Sequence, residues 1–330
     1  MLPNHRFGVE IVRISTISTY YNHYNQPGLL TYKAQSDILL SKYICLRFLA
    51  MNVTKIHLKD RFAFLGEDGR DPVLDIILPY NSVEMNRQNM KRPCMVVCPG
   101  GGYAFCSERE AEPIGVRFLP LGYNIFILNY SVAPHRYPNQ LREVAAVMEL
   151  IYQNADEWHC DTDRIAIIGF SAGGHLAAHY TNAYDCADVR EVFSDSKPVN
   201  ASVLSYPVIS ADKNIAHIGS FQNLLGKQEI TAEDVERYSC DRLVSDKTPP
   251  TFIWATAADN AVPVQNSLIY AEALANHKVP FELHVYPFGH HGLSTADDQT
   301  CGPVDEKTAR VNNWLEAVTS WIKLIFGNIG

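Results

Sequence analysis

Along this 330-residue chain the spacing of apolar positions changes from segment to segment, and the changes mark out elements. Residues 53–58 and 73–78 are strand-like runs on either side of a loop of turn formers (Gly66-Glu67-Asp68-Gly69-Arg70-Asp71-Pro72), which predicts two antiparallel strands. Cys94-Met95-Val96-Val97-Cys98 is continuously apolar, the pattern of a short strand covered on both faces. A helix over 111–119, a strand over 123–128 and an amphipathic helix over 139–154 follow. Next come a strand ending at Phe170, a helix over 172–184 and a strand over 201–206. The alternation resumes with a strand over 251–256, a helix over 264–276 with Pro263 at its start, and a strand over 281–286. Val311, Trp314, Leu315, Val318, Trp321, Ile322 and Ile325 then recur at helical spacing. Repeated strand–helix units with short connections predict an α/β fold, with a mostly parallel central sheet flanked by helices on both faces.

Two stretches break the pattern. Between residues 210 and 249 the alternation gives way to two short helical patterns, over 220–225 and 231–238. The second opens on a Thr-x-x-Asp start, and together they predict a small cap inserted over the sheet edge. Residues 1–50 mix Ser, Thr, Asn, Gln and Tyr, hold only two acids (Glu10 and Asp37) and show no sustained period. Within them Leu39, Leu40, Tyr43, Ile44, Phe48 and Leu49 offer one or two amphipathic turns suited to docking. We therefore expect an N-terminal extension over 1–50 and one α/β domain over 51–330, with Met51 a candidate start and the extension dispensable.

The candidate chemistry centres on Gly169-Phe170-Ser171-Ala172-Gly173, which lies between the strand 165–170 and the helix that follows. Strand, sharp turn and helix around Gly-x-Ser-x-Gly make a nucleophile elbow, in which the serine is strained and its hydroxyl exposed. Glycines at 169 and 173 let strand and helix crowd the turn. A serine hydroxyl needs a base, a group that orients the base, and donors for the oxyanion that forms. In the chain order Ser, acid, His, the base belongs in the loop after a late strand, where both His290 and His291 stand. Asp259 is the single carboxylate in the loop after the strand 251–256, and capping the helix near Pro263 is its other reading. Oxyanion amides are expected from Ala172, next to the serine, and from the glycine run Gly100-Gly101-Gly102 after the strand 94–98.

Composition narrows the classes. The chain is 47% hydrophobic and 19% charged, as for a globular protein with a sizeable core. With 28 basic against 36 acidic residues its formal charge is −8, and no Lys/Arg run appears, so nucleic acid is not its expected partner. The glycine run is not followed by Gly-Lys-Ser/Thr, and Phe105 stands where a Gly-x-Gly-x-x-Gly loop needs its last glycine. The eight cysteines are scattered without zinc-site spacing and read as free thiols in a reducing cytoplasm; Cys94 and Cys98 share one strand face too far apart to pair. No apolar leader opens the sequence, and the run 38–51 is short and broken by Lys42 and Arg47, so no membrane span is expected. His175 and His179 have metal-ligand spacing, but Leu176 replaces the expected Glu and no third ligand is evident, so they read as packing groups. Asp161 and Asp163 read as turn formers beside Arg164, ahead of the strand.

Taken together, Pro99-Gly-Gly-Gly-Tyr103, Tyr130-Ser-Val-Ala-Pro134, Gly169-Phe-Ser-Ala-Gly-Gly174, Asp259-Asn-Ala-Val-Pro263 and His291-Gly-Leu293 resemble the α/β-hydrolase superfamily. More narrowly they resemble bacterial acetyl esterases and acetylxylan-esterase-like lipases/esterases near the hormone-sensitive-lipase group. The resemblance covers roughly residues 51 to 325 and departs from the group at Ser131, often Arg there, and at Cys98-Pro99, where many relatives have His. It implies Ser171 as nucleophile, Asp259 as acid, His291 rather than His290 as base, and oxyanion amides at Gly101, Gly102 and Ala172. It further implies a short-chain ester or acetylated oligosaccharide such as a xylo-oligosaccharide as substrate, and no metal or organic cofactor; a homo-oligomer is left open. A serine peptidase of the prolyl-oligopeptidase type and a non-catalytic ligand-binding protein are the alternatives.

Overall fold

The computed structural model describes residues 51–327, so the expectations for residues 1–50 lie outside the described residues. Its strands are β1 (Met51–His57), β2 (Val73–Pro79), β3 (Arg92–Cys98), β4 (Asn124–Asn129), β5 (Cys160–Phe170), β6 (Ala201–Ser205), β7 (Thr251–Thr256) and β8 (Phe281–Tyr286). They form one sheet in the order β1-β2-β4-β3-β5-β6-β7-β8. The pairs β1–β2 and β2–β4 are antiparallel and all others parallel, which is the mostly parallel sheet the sequence pattern predicts.

Period-two alternation along buried strands sends alternate side chains to two separate cores. Cys94, Val96, Phe126, Leu128, Ile165 and Ile167 face helices α2 (Asn139–Gln153), α3 (Ala172–Ala183) and α6 (Gln265–Asn276). Met95, Val97, Ile125, Ile127, Ile168 and Trp254 face α1 (Glu112–Phe118) and α7 (Trp314–Phe326). Every residue of β3 is buried, as a strand covered on both faces requires. On α7, Trp314, Val318, Trp321 and Ile322 form the buried stripe, and Trp314 stacks on Trp254 with ring centroids 5.1 Å apart.

The expected cap is present as α4 (Ile218–Leu225) and α5 (Ala232–Tyr238). The start of α5 is a complete capping box: Thr231 accepts from the Asp234 N–H, and the Asp234 carboxylate accepts from the Thr231 N–H. A small third core of Val208, Ala211, Phe221, Tyr238 and Val262 fixes the cap to the domain.

One local expectation needs correcting. Asp161 and Asp163 lie within β5 rather than ahead of it, because Arg92 pairs with Cys160 while Cys94 already pairs with Ile165. The residues between bulge from the ladder, and there they keep turn-like bonds: Asp161 accepts from the Asp163 N–H at 3.1 Å and from Arg164 Nε at 2.6 Å. Among the described residues no helix is long and apolar enough to cross a membrane.

Candidate active site

The turn between β5 and α3 puts Ser171 at φ 53°, ψ −118°, a conformation that costs an L-residue on the order of 1–3 kcal/mol. Neighbouring backbone holds it there: the Ser171 N–H donates to the Ser205 carbonyl at 3.0 Å, and the Ser171 carbonyl accepts from the Val208 N–H at 3.0 Å. Glycine is required on both sides of the turn. A Cβ on Gly169 would stand 2.1 Å from the Gly173 carbonyl oxygen, and one on Gly173 would stand 2.2 Å from the Cys98 and Pro99 carbonyl oxygens.

The loops after β7 and β8 bring two further groups to this turn. His291 Nε2 lies 2.7 Å from Ser171 Oγ, and His291 Nδ1 lies 2.7 Å from Asp259 Oδ2. A carboxylate only accepts, so Asp259 puts the ring proton on Nδ1 and leaves the Nε2 lone pair toward the serine hydroxyl. The Asp259 side chain is 1% exposed, and its Oδ1 accepts from the N–H groups of Ala261 and Val262 at 2.9 Å. Asp259 does not cap α6, whose N-cap is Val264 without a side-chain hydrogen bond; its second oxygen instead orders the turn that precedes the helix. His290 is exposed and its Nδ1–H donates to the His291 carbonyl at 2.7 Å.

The glycine run after β3 turns sharply beside Ser171. Gly101, Gly102 and Tyr103 have φ of 125°, 63° and 58°, and a Cβ on Gly101 would stand 2.0 Å from the Phe105 carbonyl oxygen. Among the described residues no protein group accepts from the N–H of Gly101 or Gly102. The Ala172 N–H, at the first position of α3, has no carbonyl within its helix to meet. The loop is braced from behind: Tyr130 Oη–H donates to the Pro99 carbonyl at 2.6 Å, and the Ala133 N–H to the Tyr103 carbonyl at 2.8 Å. The Tyr130–Pro134 motif therefore serves as the support of the glycine loop.

His175 and His179 do pack beneath the elbow. Tyr103 Oη meets His175 Nδ1 at 2.8 Å, and the Tyr238 carbonyl meets Nε2 at 2.8 Å. The His179 ring stacks on Tyr137, with centroids 5.6 Å apart. Burial pushes the two imidazoles down to about 4 and about 3, so both are neutral at pH 7.

Three residues at the site were not singled out from the sequence. His217, from the cap, stands with its Cε1 3.8 Å from where a Cβ on Gly102 would lie and its Nδ1 2.8 Å from Ser220 Oγ, and burial lowers its pKa. Glu110 is buried beside Gly100, and Tyr206 sets its ring edge-on to His291 with centroids 5.0 Å apart. None of these carries a sequence signal: His217 begins an unremarkable cap segment, and Glu110 ends the charged run Ser107-Glu108-Arg109-Glu110.

A protein-family model described as BD-FAE matches residues 74–274, from β2 into α6. The chain belongs to the BD-FAE family. Among the relatives of this BD-FAE member is endo-1,4-beta-xylanase B of Butyrivibrio fibrisolvens, 38% identical over 67% of this chain and 36% of that protein. Another is the acetylxylan esterase of Xylanibacter ruminicola, 29% identical over 70% of this chain and 47% of the relative. The matched region thus spans less than half the length of either. Among solved structures, the acetyl ester-xyloside bifunctional hydrolase of Caldicellulosiruptor lactoaceticus superposes with a TM-score of 0.72 at 35% identity, covering 84% of this chain and 97% of that one. The fold is that of the α/β hydrolases, as the sequence motifs imply.

Proposed function

We propose that this BD-FAE member is a serine carboxylic-ester hydrolase that removes short acyl groups, acetyl foremost, from acetylated carbohydrates such as xylo-oligosaccharides. The observation that carries the reading is the unbroken run Asp259–His291–Ser171, two contacts of 2.7 Å each, beside amide groups without protein acceptors. Such an arrangement suits two-step acyl transfer. His291 Nε2 takes the Ser171 proton as Oγ attacks the ester carbonyl, and the resulting oxyanion rests on the amides of Ala172 and of Gly101 or Gly102. The imidazolium gives its proton to the leaving alcohol oxygen as the C–O bond breaks, leaving an acyl-serine. Water, deprotonated by the same nitrogen, then releases the acid and restores Ser171. The carbohydrate part of the substrate is supported by the names of the relatives, an acetylxylan esterase and an acetyl ester-xyloside hydrolase.

The test is hydrolysis of p-nitrophenyl esters from acetate to octanoate, followed by acetylated xylo-oligosaccharides. Acetate-preferring turnover, abolished in Ser171→Ala and His291→Ala and retained in His290→Ala, is expected. A folded wild type that cleaves no ester overturns the reading.

A further inference from the structure

Glu110 is a carboxylate where burial is costly: the residue is 3% exposed, and burial raises its pKa. Both oxygens are engaged, each by a different part of the site. Oε2 accepts from the Gly100 N–H at 2.8 Å, at the root of the glycine loop. Oε1 accepts from Tyr206 Oη–H at 2.6 Å, and Tyr206 Oη in turn accepts from the Ser294 N–H at 2.9 Å. Ser294 lies three residues beyond His291, and its hydroxyl donates to the Arg109 carbonyl next to Glu110. Tyr206 itself is held at φ 37°, a conformation a tyrosine keeps only under constraint, with its ring against His291.

These contacts span three loops. The glycine loop follows β3, Tyr206 follows β6 and the histidine loop follows β8, and no neighbouring pair of strands in the sheet joins all three. Gly100 also lies close against the serine: a Cβ there would stand 3.0 Å from Ser171 Cβ and 2.5 Å from Glu110 Oε2. The carboxylate thus reaches the glycine loop directly and the histidine loop through one hydrogen-bonding intermediary.

We propose that Glu110, acting through Tyr206, is a positioning residue that sets the glycine loop and the His291 loop at the separation acyl transfer requires. The proposal rests on the reading of Ser171 and His291 as nucleophile and base. A misplacement of about 1 Å between reacting groups costs on the order of 100-fold in rate, so the effect falls on the chemical step.

The experiment compares wild type, Glu110→Ala, Glu110→Gln, Tyr206→Phe and the double variant Glu110→Ala/Tyr206→Phe. It reads kcat and KM on p-nitrophenyl acetate, the second-order rate of Ser171 labelling by a fluorophosphonate, and the thermal midpoint. Glu110→Ala is expected to lose about 100-fold in kcat and in labelling rate, with KM changed by less than about threefold. Glu110→Gln recovers to within about tenfold of wild type. Its Oε1 still accepts from Gly100, and its Nε2 donates to Tyr206 Oη instead of accepting from it, which keeps the Ser294 contact and gives up only the acceptor of the Tyr206 hydroxyl hydrogen. Tyr206→Phe loses about tenfold, and the double variant is no worse than Glu110→Ala alone, as for one connected unit. Folded Glu110→Ala or Tyr206→Phe with wild-type kcat and labelling overturns the proposal. So does a Glu110→Gln that is folded and as slow as Glu110→Ala, or a wild type whose Ser171 does not label. Labelling that depends on Glu110 in a protein that cleaves no ester would sustain the brace and sink the ester reading instead.

Discussion

Asp259 meets His291 with one oxygen only, Oδ2 at 2.7 Å from Nδ1, while Oδ1 is taken up by the N–H groups of Ala261 and Val262. The two tasks separate on substitution. Asp259→Asn keeps an oxygen for the two amides but turns an NH2 group toward the ring, which reverses the tautomer the serine needs. We expect about a thousandfold loss of kcat or more with the thermal midpoint near that of wild type. Asp259→Ala should lose as much activity and also about 1 kcal/mol of stability, because the exposed Ala261 N–H and the part-buried Val262 N–H lose their acceptor. Ester hydrolysis alongside thermal unfolding checks both.

The glycine loop yields a contrast between neighbours. Gly101→Ala drives a Cβ to 2.0 Å from the Phe105 carbonyl oxygen at φ 125°, so the loop has to move. Gly102, at φ 63°, has nothing closer than 3.8 Å to its Cβ position. We expect Gly101→Ala to lower kcat by about 100-fold or more. Gly102→Ala should cost about 1–2 kcal/mol of backbone strain and a smaller part of the rate. Equal kcat for the two variants would contradict this account of the loop.

Stability should fall on acidification because of the buried histidines. His175 and His179 titrate at about 4 and about 3 in the folded protein, against about 6.5 in the unfolded chain. Between these values the unfolded chain binds protons that the folded one refuses, so their contribution is complete above about 6.5 and is lost as pH falls toward 4 and then 3. For His179 alone the loss is on the order of 3 kcal/mol or more. Glu143 acts in the opposite sense: burial pushes it up to about 7, so its contribution grows as pH falls from 7 to about 4.5. Comparing His179→Phe with wild type cancels the Glu143 part. Denaturant midpoints at pH 7 and pH 4.5 should show a shallower acid loss in the variant.

At the cap, Thr231→Ala removes one half of the capping box at the start of α5. A loss of about 1 kcal/mol is expected, read as a midpoint lowered by a few degrees.

Much of this arrangement was legible in the sequence because local chemistry carries it. Gly169 and Gly173 announce a turn that only glycine allows, and the apolar run 94–98 announces a strand covered on both faces. Asp259 follows from loop position relative to strands, and the Thr231 start of α5 from its capping pattern; position leaves His290 and His291 both open, and the family resemblance points to His291. What escaped was set by distance along the chain. Glu110 lies 96 residues from Tyr206, and its role depends on the hydrogen bond between them. The bulge that takes Asp161 and Asp163 into β5 depends on how Arg92 pairs, which the β5 segment does not encode. Nor does spacing say that the cap brings His217 toward the open side of Gly102.

The bond from His175 to the Tyr238 carbonyl joins the helix that begins at the nucleophile to the last residue of α5 in the cap. Tyr137 extends the tie, its N–H donating to the Leu224 carbonyl at the end of α4. Swinging the cap outward would break both links and expose a neutral imidazole ring packed beneath the elbow. Both links, with the small core beneath the cap, favour a wall held against the domain over a hinged lid. The entropy of ordering that wall is lost once, when the chain folds, and no part of it has to be recovered from substrate binding at each turnover.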